Sequence, residues 1–328
     1  MVRYLSLVST IAFLAACSPQ GGAPAVETSS NEMTETHQAD AQSAQLASPE
    51  EIAMAQAAPV LAGLNPFAPP HEAFTVIGNI HHVGGASVSA YLITTEEGHF
   101  LIDGILPQSP PMIIENIEAL GFDVADVKYL LNSHAHIDHS GGLAGLQQAS
   151  GATMVASAGD TPILESGRIE FGPTSTMPFP PVRVDEVIED GGTLTLGDTT
   201  LTAVITPGHS PGCTSWKTET TASDGETYSV FFHCSTSLGG QTVVPESYPG
   251  MVDDYRSSFE RIANEDADVF LAFHAGMFGM EEKYQALLAD DAQAFVDPEA
   301  LGAFNAASER QFEDALKQQE AALETSSQ

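Results

Sequence analysis

Residues 132–142 read NSHAHIDHSGG, and His134, His136, Asp138 and His139 place four potential metal ligands within six consecutive positions. The apolar run Val127 to Leu131 leads into this stretch and reads as a buried strand of a covered sheet. Ser140-Gly141-Gly142 leads out of it into a helix expected over Leu143 to Gln148. The ligands therefore fall where a strand ends and a helix starts, the edge at which α/β proteins place their sites. Neutral imidazole together with carboxylate suits zinc or a similar first-row ion. If the loop coils, His134 and His136 point one way while Asp138 and His139 point another. That spacing suits two adjacent metals better than one. A chance cluster of polar loop residues is the bland alternative, and four ligand types so close together weigh against it.

The chain has 328 residues, 43% of them hydrophobic, enough to bury the core of one large domain or two halves. Its charge is lopsided, with 10 Lys+Arg against 44 Asp+Glu and a formal net charge of −34. A surface this acidic repels phosphate backbones, which excludes nucleic acid as a partner.

Residues 1–17 read as a processing signal rather than as part of the fold. Arg3 is the only charge, and the apolar run from Tyr4 to Ala16 is too short for a membrane span. Leu14-Ala15-Ala16-Cys17 resembles a bacterial lipobox, in which Cys17 becomes the lipidated first residue of the mature protein. With Ser18 following, the expectation is a lipid anchor in the outer membrane and a domain on the periplasmic side. Residues 18–49 lack aromatic residues and read as a flexible tether. A folded domain is expected over 50–323, opening with a short helix near 49–57 and followed by a polar tail at 324–328. A monomer is the default expectation.

Along the domain, strands are expected at Phe74–Ile77, Ile80–Val83, Ser87–Thr94 and His99–Asp103, the last two forming a hairpin around Glu96-Glu97-Gly98. Pro110-Pro111 opens a helix with Ile113, Ile117 and Leu120 on one face and Gly121 as its stop. After the histidine loop come a strand at Thr153–Ala156 and a Gly/Pro-rich loop from Glu165 to Asp185. Further strands follow at Val187–Ile188, Thr193–Leu196, Thr199–Ile205, Thr214–Thr218 and Tyr228–His233. Helix Asp254–Asn264, strand Val269–Phe273 and helical sequence over Glu281–Ala289 and Pro298–Leu323 complete the chain. Strand-rich blocks alternating with helices in two successive halves imply two sheets face to face, helices outside, and the loops collected at one edge.

Two further histidines follow strand candidates. His209 lies in TPGHSPG, where Gly and Pro can fix the loop and allow close approach to a metal, and His274 follows Val269–Phe273 directly. A lone histidine at a strand end is more often structural, but two of them beside a strong metal loop shift the balance. His37, His71, His81, His82, His99 and His233 read as structural or surface residues. Cys213 and Cys234 can pair in an oxidising compartment if their backbones come close enough.

The pattern His134-x-His136-x-Asp138-His139, then His209, then His274, resembles the ligand set of the metallo-β-lactamase superfamily. The resemblance runs from about Phe74 to Phe312 and implies an α+β fold, the αββα sandwich. TPGHSPGCTSW around His209 and the HAGMFG segment look like the class B β-lactamases of the third subclass. It implies two Zn2+ ions, the first held by His134, His136 and His209, the second by Asp138, His139 and His274. In the first subclass a residue other than His follows the Asp and a Cys is a ligand; here His139 stands there. In the second an Asn replaces the first His, and His134 departs from that. Glyoxalase II and lactonase relatives carry a metal-bridging Asp at the end of the strand matching Tyr228–His233. This chain reads His233-Cys234-Ser235-Thr236-Ser237 there, without a carboxylate. Ser235 and Ser237 match serines that orient water or the substrate carboxylate in the subclass. The implied activity is hydrolysis of the β-lactam amide of penicillins, cephalosporins and carbapenems by a zinc-bound hydroxide, which Asp138 orients. The competing readings are a lactonase or esterase on the same metals and a non-catalytic zinc-binding lipoprotein.

Overall fold

A computed structural model describes residues 68–326. The expectations for the signal at 1–17 with Cys17, the tether at 18–49 and the helix near 49–57 lie outside the described residues, as does His37. Among the described residues, seven strands stand side by side in chain order in one sheet: β1 (Phe74–Ile77), β2 (Ile80–His82), β3 (Tyr91–Thr95), β4 (Gly98–Ile102), β5 (Val127–Leu131), β6 (Thr153–Ser157) and β7 (Glu186–Ile188). The first four run antiparallel, while β4 to β7 run parallel. Parallel neighbours need long crossovers. Here these are helical: α1 (Pro110–Ala119), then α2 (Ile137–Ser140) with α3 (Leu143–Ser150), then α4 (Thr161–Ser166). The second sheet comprises β8 (Thr193–Leu196), β9 (Thr199–Ile205), β10 (Thr214–Thr221) and β11 (Thr227–His233), all antiparallel, with β12 (Val269–Ala272) parallel to β11. Helix α5 (Met251–Ile262) makes that last crossover, and α6 (Met280–Leu288) and α7 (Ala300–Ser326) end the chain.

Side-chain alternation assigns each strand two faces. In β4, Phe100 and Ile102 turn inward to join Tyr91, Ile93 and Leu131 against Trp216, Phe232 and Leu271 of the second sheet. Leu101 turns outward with Leu92, Leu130 and Met154, under Ile113 and Ile117 of α1 and Leu143 and Leu146 of α3. Both faces of the first sheet are covered, which is why its central strands are almost wholly apolar. This is the αββα sandwich. On the second sheet's side, α5 and α7 meet through Tyr255, Phe259, Phe312 and Leu316.

Three local expectations change. The strand expected from Ser87 starts at Tyr91, because residues 87–89 pair instead with the end of the second sheet: Ser89 N–H donates to the Phe273 carbonyl and Ala275 N–H to that of Ser87. Helix α4 was not anticipated, being a short piece closed by Gly167 in the left-handed region. Helix α7 runs to Ser326, so most of the expected polar tail continues the helix. Cys213 and Cys234 form a disulfide with Cα atoms 5.9 Å apart.

Histidines 81, 82 and 233 are core residues. His82 stacks on Phe74 with ring centroids 5.1 Å apart, and neither of its ring nitrogens has a hydrogen-bond partner. Burial, reinforced by nearby His71, pushes its pKa down from 6.5 to about 3. The unfolded chain therefore takes up this proton first. Stability contributed by the neutral ring is intact above pH 6.5 and is lost as pH falls from there towards about 3. His82→Phe should flatten the acid limb of stability against pH by about one proton, roughly 1.4 kcal/mol per pH unit. Urea titrations between pH 7 and pH 4 read this slope, and an unchanged slope would refute the account. The Cys213→Ser/Cys234→Ser variant should lose about 3 kcal/mol, since the bond closes a loop with a sequence separation of 21. Equal denaturation midpoints for the two proteins would refute it.

Candidate metal centre

The histidine loop leaves the buried strand β5 and turns straight into α2. His136 is the residue before that helix, with extended backbone, and its carbonyl accepts the N–H groups of His139 (3.0 Å) and Ser140 (2.8 Å). The Asn132 side chain donates to the His134 carbonyl and to Ser140 Oγ, both at 2.9 Å, and locks the coil. The helical turn places Asp138 and His139 in a second ligand group beside that of His134 and His136, as the spacing implied. The β9–β10 loop brings His209 and the end of β12 brings His274 to the same sheet edge. The result is two groups, His134/His136/His209 and Asp138/His139/His274, each with its ligating atoms within 4.8 Å of one another.

In the first group the rings stand edge to face, 4.5 to 4.8 Å between centroids. His209 Nδ1 donates to the Ser237 carbonyl at 2.7 Å, which leaves the Nε2 lone pair free. His134 Nε2 is buried without a partner. An orphaned ring nitrogen inside a protein is costly unless something ligates it. Burial, together with the neighbouring histidines, holds His134 and His209 well below their usual range, and burial pushes His136 down to about 4. All three are neutral, the form a metal requires.

In the second group His139 Nε2 lies 3.2 Å from His274 Nε2 and 3.5 Å from Asp138 Oδ2, and His274 Nε2 lies 3.6 Å from the same oxygen. Burial opposes a charge on His139, but Asp138 and Asp103 on either side outweigh it and push the ring up to about 10. Burial likewise opposes the Asp138 carboxylate, and His139, His274 and His136 more than offset that, holding it well below its usual range. His139 thus sits between two carboxylates, with Nε2 turned towards Asp138 and His274, the atom that a metal ion takes when the ring gives up its proton there. The two groups adjoin, with His134 and His139 centroids 4.0 Å apart. Asp138 and His274 keep 21% and 31% of their side chains exposed while the other four ligands are buried, so the cleft opens on the second group. The donor set therefore fits metal ions in both groups.

Asp103 was not anticipated as part of the site. It ends β4 with a left-handed backbone (φ +66°), fully buried, and accepts Ser133 N–H (2.7 Å), Ser133 Oγ–H (2.6 Å) and His139 Nδ1–H (3.0 Å). A signal existed: a charged residue closing the buried run Phe100-Leu101-Ile102 demands partners. Ser235 and Ser237 lie together after β11, their hydroxyls 3.2 Å apart, and the Ser237 carbonyl also accepts the Tyr255 hydroxyl at 2.6 Å. The glycines beside His209 do not serve approach to a metal. A Cβ on Gly208 would lie 2.8 Å from the Tyr255 ring, and one on Gly212 2.2 Å from the Asp160 backbone nitrogen. Their smallness admits packing against the protein. Cys234 is held in its disulfide, with Sγ 3.1 Å from the Ser133 carbonyl oxygen. His71, His81, His82, His99 and His233 stand outside both groups.

Comparison with known proteins decides the family. Residues 83–221 match the metallo-beta-lactamase superfamily. BJP-1, a subclass B3 metallo-β-lactamase of Bradyrhizobium japonicum, is similar over 80% of this chain and 99% of its own, at 39% identity and a TM-score of 0.76. The chain belongs to the metallo-β-lactamase superfamily. Within the superfamily it is also similar to native FEZ-1 of Legionella gormanii, at 34% identity and a TM-score of 0.73 over 77% of this chain and 98% of that one. Among curated relatives, the N-acyl homoserine lactonase AttM of Agrobacterium fabrum is 30% identical over 152 residues, 38% of this chain. The chain spans 57% of that relative's length.

An amide at position 103 turns an N–H towards His139 Nδ1 and drives the ring proton onto Nε2, the atom facing Asp138. Asp103→Asn should therefore weaken metal binding at the Asp138/His139/His274 group by about 10- to 100-fold. Competition against a chromophoric chelator measures this, and wild-type affinity for every bound equivalent would refute it.

Proposed function

We propose that the protein hydrolyses the amide of the β-lactam ring with two zinc ions, one in each histidine group. The observation that carries this reading is the similarity to BJP-1 across 99% of that enzyme, together with the two adjoining ligand groups. Bound there, zinc supplies Lewis acidity, polarising a carbonyl and making water acidic enough to furnish a nucleophile near neutral pH. His134, His136 and His209 hold the first ion from neutral, buried rings. Asp138, His139 and His274 hold the second at the exposed mouth of the cleft. Asp138, ionised and partly exposed, orients the attacking water by accepting its proton and can return that proton to the departing ring nitrogen. Ser235 and Ser237, whose hydroxyls lie 3.2 Å apart, would donate hydrogen bonds to the substrate carboxylate.

The similarity to the lactonase AttM supports a second reading, hydrolysis of a lactone at the same centre. Against it, the strand end after β11 offers a disulfide-bonded Cys234 and serines rather than a carboxylate. On either reading the chain acts on a small molecule. The expected lipid anchor through Cys17 and the periplasmic location remain part of this proposal.

Purified protein should open a carbapenem and a cephalosporin, lose turnover on chelation, and regain it with zinc. Asp138→Asn should cost at least about 100-fold in kcat, the usual scale of a general base. Two bound zinc equivalents without β-lactam turnover, but with turnover of an acyl homoserine lactone, would replace the first reading by the second.

A further inference from the structure

The first ligand group draws on two loops, residues 132–136 after β5 and residues 206–213 between β9 and β10. One backbone bond, from Thr214 N–H to the Ser133 carbonyl at 2.7 Å, joins them near their roots. Closer to the ligands a single side chain bridges them. Asp160, in the turn between β6 and α4, is fully buried. Its Oδ2 accepts Ala135 N–H at 2.8 Å, from the residue between His134 and His136, and Ser210 Oγ–H at 2.9 Å, from the residue after His209. Its Oδ1 accepts Gly212 N–H at 2.9 Å. The backbone of the turn is also moulded to the His209 loop. Ser157 Oγ donates to the Gly212 carbonyl at 2.6 Å, and a Cβ on Gly159 would lie 2.5 Å from the Pro211 carbonyl oxygen.

We infer that Asp160 is a positioning residue for the first metal group, setting His209 against His134 and His136 through its bridge between the two loops. All three contacts are donors, so only a group with acceptors on both oxygens completes the bridge. A carboxylate does this, and it also leaves a negative charge behind three neutral imidazoles. An amide would bring an N–H against at least one of the three donors. Ligand groups held by such supports lose about 10- to 100-fold in metal affinity when the support is removed. Asp103 plays the corresponding part for His139, so each group has its own buried carboxylate. The inference rests on the proposal that both groups hold zinc.

The test uses the full chain as wild type, Asp160→Asn, Ser210→Ala and Asp103→Asn, each loaded with Zn2+ against a chromophoric chelator, with far-UV circular dichroism and thermal melts in parallel. In Asp160→Asn one zinc equivalent should bind about 10- to 100-fold more weakly while the other is unchanged. Ser210→Ala, which keeps the carboxylate and removes one donor, should weaken the same equivalent by less. Combining Asp160→Asn with Asp103→Asn should weaken both. Wild-type affinities in Asp160→Asn and Ser210→Ala would overturn the inference, as would an equal loss at both equivalents that merely tracks a lower melting temperature. If Asp160→Asn does not fold, Ser210→Ala alone decides. A wild-type chain that binds no zinc would instead overturn the two-metal reading on which the inference stands.

Discussion

A buried carboxylate must be met by donors, and two such carboxylates organise this centre. Asp103 and Asp160 are fully buried, and each accepts three hydrogen bonds from the loops that carry the histidines. Burial raises both, and Asp103 adds to the rise at Asp160, which reaches about 6 even with its donors pulling it back towards ionisation. The cost of burying these charges is offset only if the donors stay in place. That requirement works in both directions. The loops satisfy the carboxylates, and the carboxylates hold the loops.

Such precision needs rigid roots. The ligand loops spring from the ends of β5, β9 and β12, strands paired on both sides or packed between layers, and none of the ligands sits far from a strand end. The disulfide binds the start of β10 to the end of β11, next to the Ser133 carbonyl, so the floor beneath His134 is cross-linked. Behind His209 the support is longer. Tyr255 on α5 donates to the same Ser237 carbonyl as His209 and stacks on Phe312 of α7, with centroids 4.7 Å apart. The last helix is thus linked to His209 through Tyr255 and the Ser237 carbonyl.

The ligands were legible in the sequence because their information is local. Four of them occupy six consecutive residues, and His209 and His274 each follow a strand. The central strands of the first sheet were legible because both faces of that sheet are covered and their residues are almost wholly apolar. What was missed is tertiary. Asp103 and Asp160 carry no local pattern beyond being charges next to buried strands, and their partners lie 25 to 52 residues away. The strand expected from Ser87 failed for a related reason. Its alternation is genuine, but its first residues find their hydrogen bonds at the end of β12, in the other sheet. The glycines around His209 showed that something approaches closely, and only the packing shows that it is Tyr255 and the Asp160 turn.

The distribution of charge gives the two groups different characters. His134, His136 and His209 are all neutral, so the first ligand set carries no charge of its own, and Asp160 lies one hydrogen bond behind it. Asp138 places a full negative charge among the ligands of the second group, with Asp103 behind His139. A dication bound by the first group would keep more of its positive charge. One bound by the second would be more nearly neutralised, and the Asp138 carboxylate faces the open mouth. The same asymmetry appears in exposure, since the first group is buried and only Asp138 and His274 reach solvent. The different characters of the two groups therefore follow from where the chain puts its few charges inside the fold.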